Sequence, residues 1–244
     1  MKKLAIQLFI VIVTYFSGEY AQAAVGQIID IRLGGATSPT TYTLGGAISG
    51  LTNQTWNNIR TANKVTSAGP LMFSDNTAST VYGTYFMDGS VGSVTTAINT
   101  TDSGLMKGYG KAGTANSYCD FTGLSAGTYN VYVYSQAARN TQAVLNLTAT
   151  TSGGHTYHFD LSSTGSLTKL TEGSNWMMQS VFVGADGKLN MSLGVNSFIN
   201  GLQLVQTSAV PVPEPGSIAL IGVGAVIFAG MSKMRDQKER GIEG

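Results

Sequence analysis

Gly123-Leu124-Ser125-Ala126-Gly127-Thr128-Tyr129-Asn130-Val131-Tyr132-Val133-Tyr134-Ser135 is the stretch whose reading decides the fold class. In an extended chain successive side chains point to opposite faces, so Tyr129, Val131 and Val133 share one side and Asn130, Tyr132 and Tyr134 the other. β-Branched and aromatic residues pack best on a pleated surface, and Ser125-Ala126-Gly127 supplies a turn just before them. The same period of two returns at Ile29, Ile31 and Leu33, at Leu145 and Leu147, and at Leu189, Met191 and Leu193. Turn residues bound these runs at Gly34-Gly35, Ser152-Gly153-Gly154 and Asp186-Gly187-Lys188, and the Asp-Gly pair predicts a hairpin. Short strands with no long amphipathic helix between them predict an all-β sandwich or barrel. The least strand-like region is Leu51–Ala68, where Trp56, Ile59 and Val65 are expected on a short helix or loop. Gln206-Thr207-Ser208-Ala209 reads as a small polar exit from the domain.

Charge is sparse. Only 11% of the 244 residues are charged, and between Ala24 and Val210 eight bases face eight acids. A chain without a basic surplus has nothing to draw in a polyanion, so nucleic acid is excluded as a partner. Ser, Thr, Asn and Gly fill the polar positions instead. Cys119 is the single cysteine, which rules out an intrachain disulfide. Flanked by Tyr118 and Phe121, it reads as a small buried hydrophobe.

Both ends read as addresses and are set aside from the fold. Lys2-Lys3, the apolar run Leu4–Phe16 and the small residues of Ala21-Gln22-Ala23 form a signal peptide, with cleavage predicted between Ala23 and Ala24. At the other end stands Val210-Pro211-Val212-Pro213-Glu214-Pro215, whose prolines bar helix and stiffen the chain. The sixteen uncharged residues Gly216–Met231 follow, spanning roughly 24 Å as a helix against a hydrocarbon core of ~30 Å. Lys233, Arg235, Lys238 and Arg240 come next, and the positive-inside rule holds them in the cytoplasm. The organisation expected is therefore a signal peptide over 1–23 and a sandwich over 24–208. A Pro-rich spacer over 209–215, a single transmembrane helix over 216–232 and a basic tail over 233–244 complete it. A plain C-terminal anchor is the simplest reading of the last three.

Pro213-Glu214-Pro215, a short Gly-studded apolar helix and a basic tail in that order resemble the PEP-CTERM sorting signal. The resemblance implies a Gram-negative exported protein, held in the inner membrane until an exosortase-type peptidase processes it near the tripeptide. It implies a final place at the cell surface or outside it, in bacteria that make extracellular polysaccharide. Asp236, Glu239 and Glu243 dilute a tail that is usually purer in Arg and Lys. The body resembles a second family. Gly123–Ser135, Trp56-Asn57-Asn58 and Ile199-Asn200-Gly201-Leu202-Gln203-Leu204-Val205 are similar to galactose-binding-like jelly rolls used as carbohydrate-binding modules. That resemblance implies a jelly-roll-like sandwich whose first and last strands lie side by side.

No catalytic constellation stands out. Glycoside hydrolysis needs two carboxylates across a cleft, whereas Asp75, Asp88 and Asp186 sit in turn contexts and nothing pairs Asp160 with Glu172. His155 and His158, three apart on a strand, send their rings to opposite faces and cannot share an ion. No cofactor is expected, although loop carboxylates and carbonyls leave room for a structural calcium. Aromatics offer the remaining hint. Trp56 beside Asn57, and Tyr132 and Tyr134 on one strand face, form a candidate sugar site if exposed, with rings on the apolar sugar face and amides on its hydroxyls. Alternatively Trp56 plugs the end of the sandwich and the tyrosines pack beneath a loop. The expectation is a non-enzymatic, exported surface or matrix protein associated with exopolysaccharide. A carbohydrate-binding module with a discrete site is the alternative, and a surface hydrolase the third reading.

Overall fold

The computed structural model describes residues 26–34, 40–42, 46–48, 54–59, 65–66, 70–98, 102–139 and 141–210. The alternating runs become strands whose apolar sides meet. One six-stranded sheet takes β1 (Ile28–Leu33), β2 (Thr40–Tyr42), β3 (Gln54–Ile59), β9 (Gly127–Tyr134), β12 (Trp176–Val183) and β15 (Gly201–Ala209), in the order β12-β9-β15-β1-β3-β2. The second takes β4 (Val65–Thr66), β5 (Tyr82–Phe86), β8 (Tyr118–Thr122), β10 (Gln142–Thr151), β11 (Thr156–Thr164) and β13 (Leu189–Leu193), in the order β11-β10-β13-β8-β5-β4. A small third sheet joins β14 (Phe198–Ile199), β7 (Gly108–Lys111) and β6 (Val91–Ser93), and α1 (Ser103–Lys107) is the one helix among the described residues. The fold is thus an all-β sandwich.

One core lies between the two large sheets. Ile29, Ile31, Val131, Val133, Leu202 and Leu204 face Phe121, Leu145, Leu147, Phe159, Leu189 and Met191, all of them buried. Each such side chain taken out of water contributes on the order of 1.5–3 kcal/mol. Cys119 sits wholly inside this core, where burial pushes its thiol well above the ordinary range, so it acts as packing. First and last strands of the sandwich lie side by side: β1 pairs antiparallel with β15, with Asp30 opposite Gln203 and Ile31 opposite Leu202.

Three expectations are corrected. Gln54–Ile59 is strand, not helix or loop, and β3 runs parallel to β1 with Trp56 opposite Asp30. All six of its residues are buried, so the polar-out, apolar-in signature of a half-exposed strand never arises. Among its polar side chains Asn57 is held by hydrogen bonds: its amide donates to the carbonyls of Asp30 (2.9 Å) and Met72 (2.8 Å) and accepts from the Met72 N–H (2.8 Å). Asp186-Gly187 does make a turn, with Gly187 at φ 64°, but not a hairpin. It carries the chain from β12 in one sheet to β13 in the other, because Val181 and Val183 face the same core as Leu189 and Met191 from the opposite side. Finally, Gln206–Ala209 belongs to the sheet. Ser208 and Ala209 pair with Thr128 and Gly127, since backbone groups carry a ladder whatever the side chains.

The third sheet lies close to the sandwich because of a two-residue rhythm in β7, Gly108-Tyr109-Gly110-Lys111. A Cβ on Gly108 would overlap the Leu33 carbonyl oxygen, and one on Gly110 would press on the Met87 side chain. Tyr109 and Lys111, pointing the other way, are only partly buried. Gly108→Ala is expected to cost ~1–3 kcal/mol as the two backbones are forced apart. A thermal midpoint equal to wild type would show that the approach is not tight.

The sorting tripeptide Pro213, Glu214 and Pro215, the cleavage residues Ala23 and Ala24, the apolar run Gly216–Met231 and the tail residues Lys233, Arg235, Lys238 and Arg240 lie outside the described residues. Among the described residues no helix is long and apolar enough to cross a membrane.

Candidate ligand cleft

Trp56 and Tyr134, expected as exposed rings or as packing, are both completely buried. They point away from the main core into a second small cluster with Ile98, Leu105 and Met106, so residues of α1 and its approach cover this face of the first sheet. Tyr132, partly buried, packs at the border with its ring 6.0 Å from that of Trp176. Asn57 lies on the opposite side of β3 from Trp56, and its amide is spent on the backbone bonds already described. Trp56, Asn57, Tyr132 and Tyr134 therefore do not make one exposed platform. An apolar ring on the outer face of a sheet is buried once another segment crosses it, and single-strand periodicity carries no sign of that segment.

Beneath the cluster runs a polar chain. The Ala47 N–H donates to the Tyr134 hydroxyl (2.7 Å), that hydroxyl donates to Gln203 Oε1, and Gln203 Nε2 donates to Asp30 Oδ1 (2.7 Å). Asp30 is wholly buried, and its Oδ2 has no hydrogen-bond partner. Burial pushes the Asp30 carboxyl up to about 7, against a smaller opposing pull from Gln203. Burial also holds the Tyr134 phenol well above its ordinary range, so it keeps the proton it donates.

The open site lies elsewhere. A cleft of about 430 Å³ is bounded on one side by Ser90, Val94, Tyr109, Lys111 and Phe198, and on the other by Ala137, Ala138, Thr141, Gln142, Ala143 and Val144. The pairing of the small sheet builds its floor. Phe198 lies opposite Lys111 and Gly92 opposite Tyr109, so Tyr109, Lys111 and Phe198 share a face. The Tyr109 and Phe198 rings stack at 4.5 Å and 16°. Asn200 ties floor to wall. Its amide donates to the carbonyls of Met106 (3.0 Å) and Gly108 (2.7 Å), and its Oδ1 accepts the Gln136 N–H (2.5 Å) at the start of the wall. Below, the loop after β7 is held by Asp88, which accepts from the Ser117 hydroxyl (2.5 Å), the Thr114 hydroxyl and the amides of Gly113 (2.7 Å) and Thr114 (3.0 Å). Ser117 and then Thr114 hold this carboxyl far below the usual carboxylate range.

The arrangement offers contacts for a small polar ligand. The described residues that line it offer an aromatic ring, hydroxyls, amides and one ammonium. His155 and His158 are both exposed, the first edge-on to Phe182 and the second beside the Thr148 hydroxyl (3.3 Å). Among the described residues no three His, Cys, Asp or Glu side chains come together as a metal set. The signal that could have found this cleft was the Gly-Tyr-Gly-Lys rhythm of β7, in which glycines mark the pressed side and the two long polar side chains the open one.

Comparison with curated proteins finds no match. Among protein families, the model of the PEP-CTERM protein-sorting motif matches residues 211–235, which take in Pro213, Glu214, Pro215, the apolar run and the bases Lys233 and Arg235. The chain carries the sorting signal of an exported protein that an exosortase, a membrane peptidase, processes.

Proposed function

We propose that the protein is a non-enzymatic component of the cell surface or extracellular matrix, associated there with exopolysaccharide, and that its sandwich is a jelly roll of the carbohydrate-binding-module kind. The observation that carries the reading is the sorting motif at 211–235 behind a β-sandwich. The side-by-side pairing of β1 with β15 supports the jelly roll. In the sorting step the apolar helix holds Pro213-Glu214-Pro215 at the outer face of the inner membrane. The prolines keep the backbone extended and unpaired, the form a peptidase can thread. Lys233, Arg235, Lys238 and Arg240 resist being drawn through the bilayer. Hydrolysis near the tripeptide then frees the body.

Replacing Pro213, Glu214 and Pro215 with three alanines is expected to leave a full-length, membrane-held precursor, read by intact mass and cell fractionation. Mature wild-type protein that still carries Arg240 would show a plain anchor instead. Association with exopolysaccharide is read separately, as the share of exported protein that sediments with the polysaccharide and is released when the polysaccharide is degraded. Free protein before degradation would overturn that part.

A further inference from the structure

We propose that the cleft between the small sheet and residues 141–144 binds a carboxylated saccharide, a uronic acid unit of a polysaccharide, with the Lys111 ammonium taking the carboxylate. The proposal rests on the polysaccharide reading above and deepens it by naming the place and the sugar class.

Size comes first: about 430 Å³ falls within the ~300–1,000 Å³ of small-ligand sites and suits one or two sugar rings rather than a folded partner. The lining is of two kinds. Tyr109, partly buried and backed on one face by the buried Phe198, and Val144, 38% exposed, give apolar surface for the C–H face of a sugar ring. Ser90, Thr141, Gln142 and Asn196 give neutral donors and acceptors for its hydroxyls.

Charge then selects the sugar. Among the described residues, Lys111 is the only charged one lining the cleft. Its ammonium has no ion-pair or hydrogen-bond partner among the described residues. Lys111 is partly buried, and its ammonium stands beside rings and amides without a counter-charge among the described residues, so an anion carried by the ligand would supply one. Lysine is a compact point charge on a flexible stem, so it can meet a ring carboxylate at a range of angles while the rings set the sugar's plane. A neutral glycan would leave that charge unmet. An acidic peptide would meet the charge but leave the stacked rings without a sugar face.

The test uses the full-length protein in a non-glycosidic detergent and isothermal titration calorimetry. The probes are an oligogalacturonate, its fully methyl-esterified neutral counterpart and oligoglutamate. The oligogalacturonate is expected to bind at least tenfold more tightly than the neutral ester, with affinity falling as salt rises. Lys111→Gln is expected to erase that preference, Lys111→Arg to keep most of it, and Lys188→Gln, on an exposed turn away from the cleft, to leave it unchanged. Equal binding of acidic and neutral oligomers would overturn the uronate assignment and leave the polysaccharide reading standing. Binding of oligoglutamate as tight as that of the oligogalacturonate would make this a peptide site. A preference that survives Lys111→Gln, or no binding of any probe by protein that still sediments with polysaccharide, would remove the cleft as the site.

Discussion

Trp56→Ala is expected to destabilise the sandwich by about 3–5 kcal/mol, the range for truncating a buried tryptophan. Trp56 is wholly enclosed and packs in a cluster with Leu105, Met106, Ile98 and Tyr134. Truncation would leave a cavity the size of an indole under α1, and a five-residue helix with no side-chain N-cap hydrogen bond has little stability of its own to close it. In the pairing of β3 with β1, Trp56 also stands beside Asp30, so the cavity would admit water to a carboxyl that burial now keeps dry. For a domain of this size each kcal/mol moves the midpoint by roughly 2–4 °C, so a fall of about 6–20 °C should follow in a thermal scan. The sugar binding proposed for the Tyr109 cleft should persist in whatever fraction remains folded. A wild-type midpoint for Trp56→Ala would mean that the ring is open to solvent after all.

Asp30→Asn is expected to flatten the dependence of stability on pH. Folding raises the Asp30 carboxyl from its ordinary 3.8 to about 7. Below about pH 4 it is protonated in both the folded and the unfolded chain, and its contribution is fully present. Between about 4 and 7 the unfolded chain gives up the proton while the folded chain keeps it, so stability falls as pH rises. Above about 7 both forms are ionised and the loss is complete. Three pKa units at 1.36 kcal/mol each make the full loss roughly 4 kcal/mol, an upper figure because a buried site relaxes and takes up water once charged. Asparagine keeps an oxygen for Gln203 Nε2 and never ionises. Denaturant midpoints of wild type and Asp30→Asn, taken at pH 4.5 and 8, should therefore diverge toward pH 8 in favour of the variant. Parallel curves would show that Asp30 is ionised and solvated in the folded chain.

Linear features were legible without any fold. The information of the sorting signal lies in consecutive residues, so Pro213-Glu214-Pro215 with its flanking apolar run and bases could be recognised where it stands. The sandwich was legible for a similar reason. In β9, β10 and β13 one face meets the core and the other faces outward, and that difference is written into every second residue. Tyr129, Val131, Leu145, Leu147, Leu189 and Met191 all point where their alternation puts them.

Partners distant in sequence were not legible. β3 carries no alternation because it is covered on both faces, and the residues that cover Trp56 come from around α1, some fifty positions later. Asp186-Gly187 set the turn's backbone geometry but not the sheet that the next strand would join, since either sheet offers β13 the same core. Asp30 could not be known as a buried acid until Gln203, 173 residues away in sequence, lay opposite it. The cleft has the same origin: Tyr109 and Lys111 gain a floor only when Phe198 pairs beside them, and a wall only when Asn200 ties Gln136 to Gly108. The sequence alone determined what the half-exposed strands bury and which sorting signal the chain carries, because both are decided by neighbours along the chain. Tertiary structure decided which polar groups are dry and which rings stay open, because hydration depends on segments that meet only when the chain has folded.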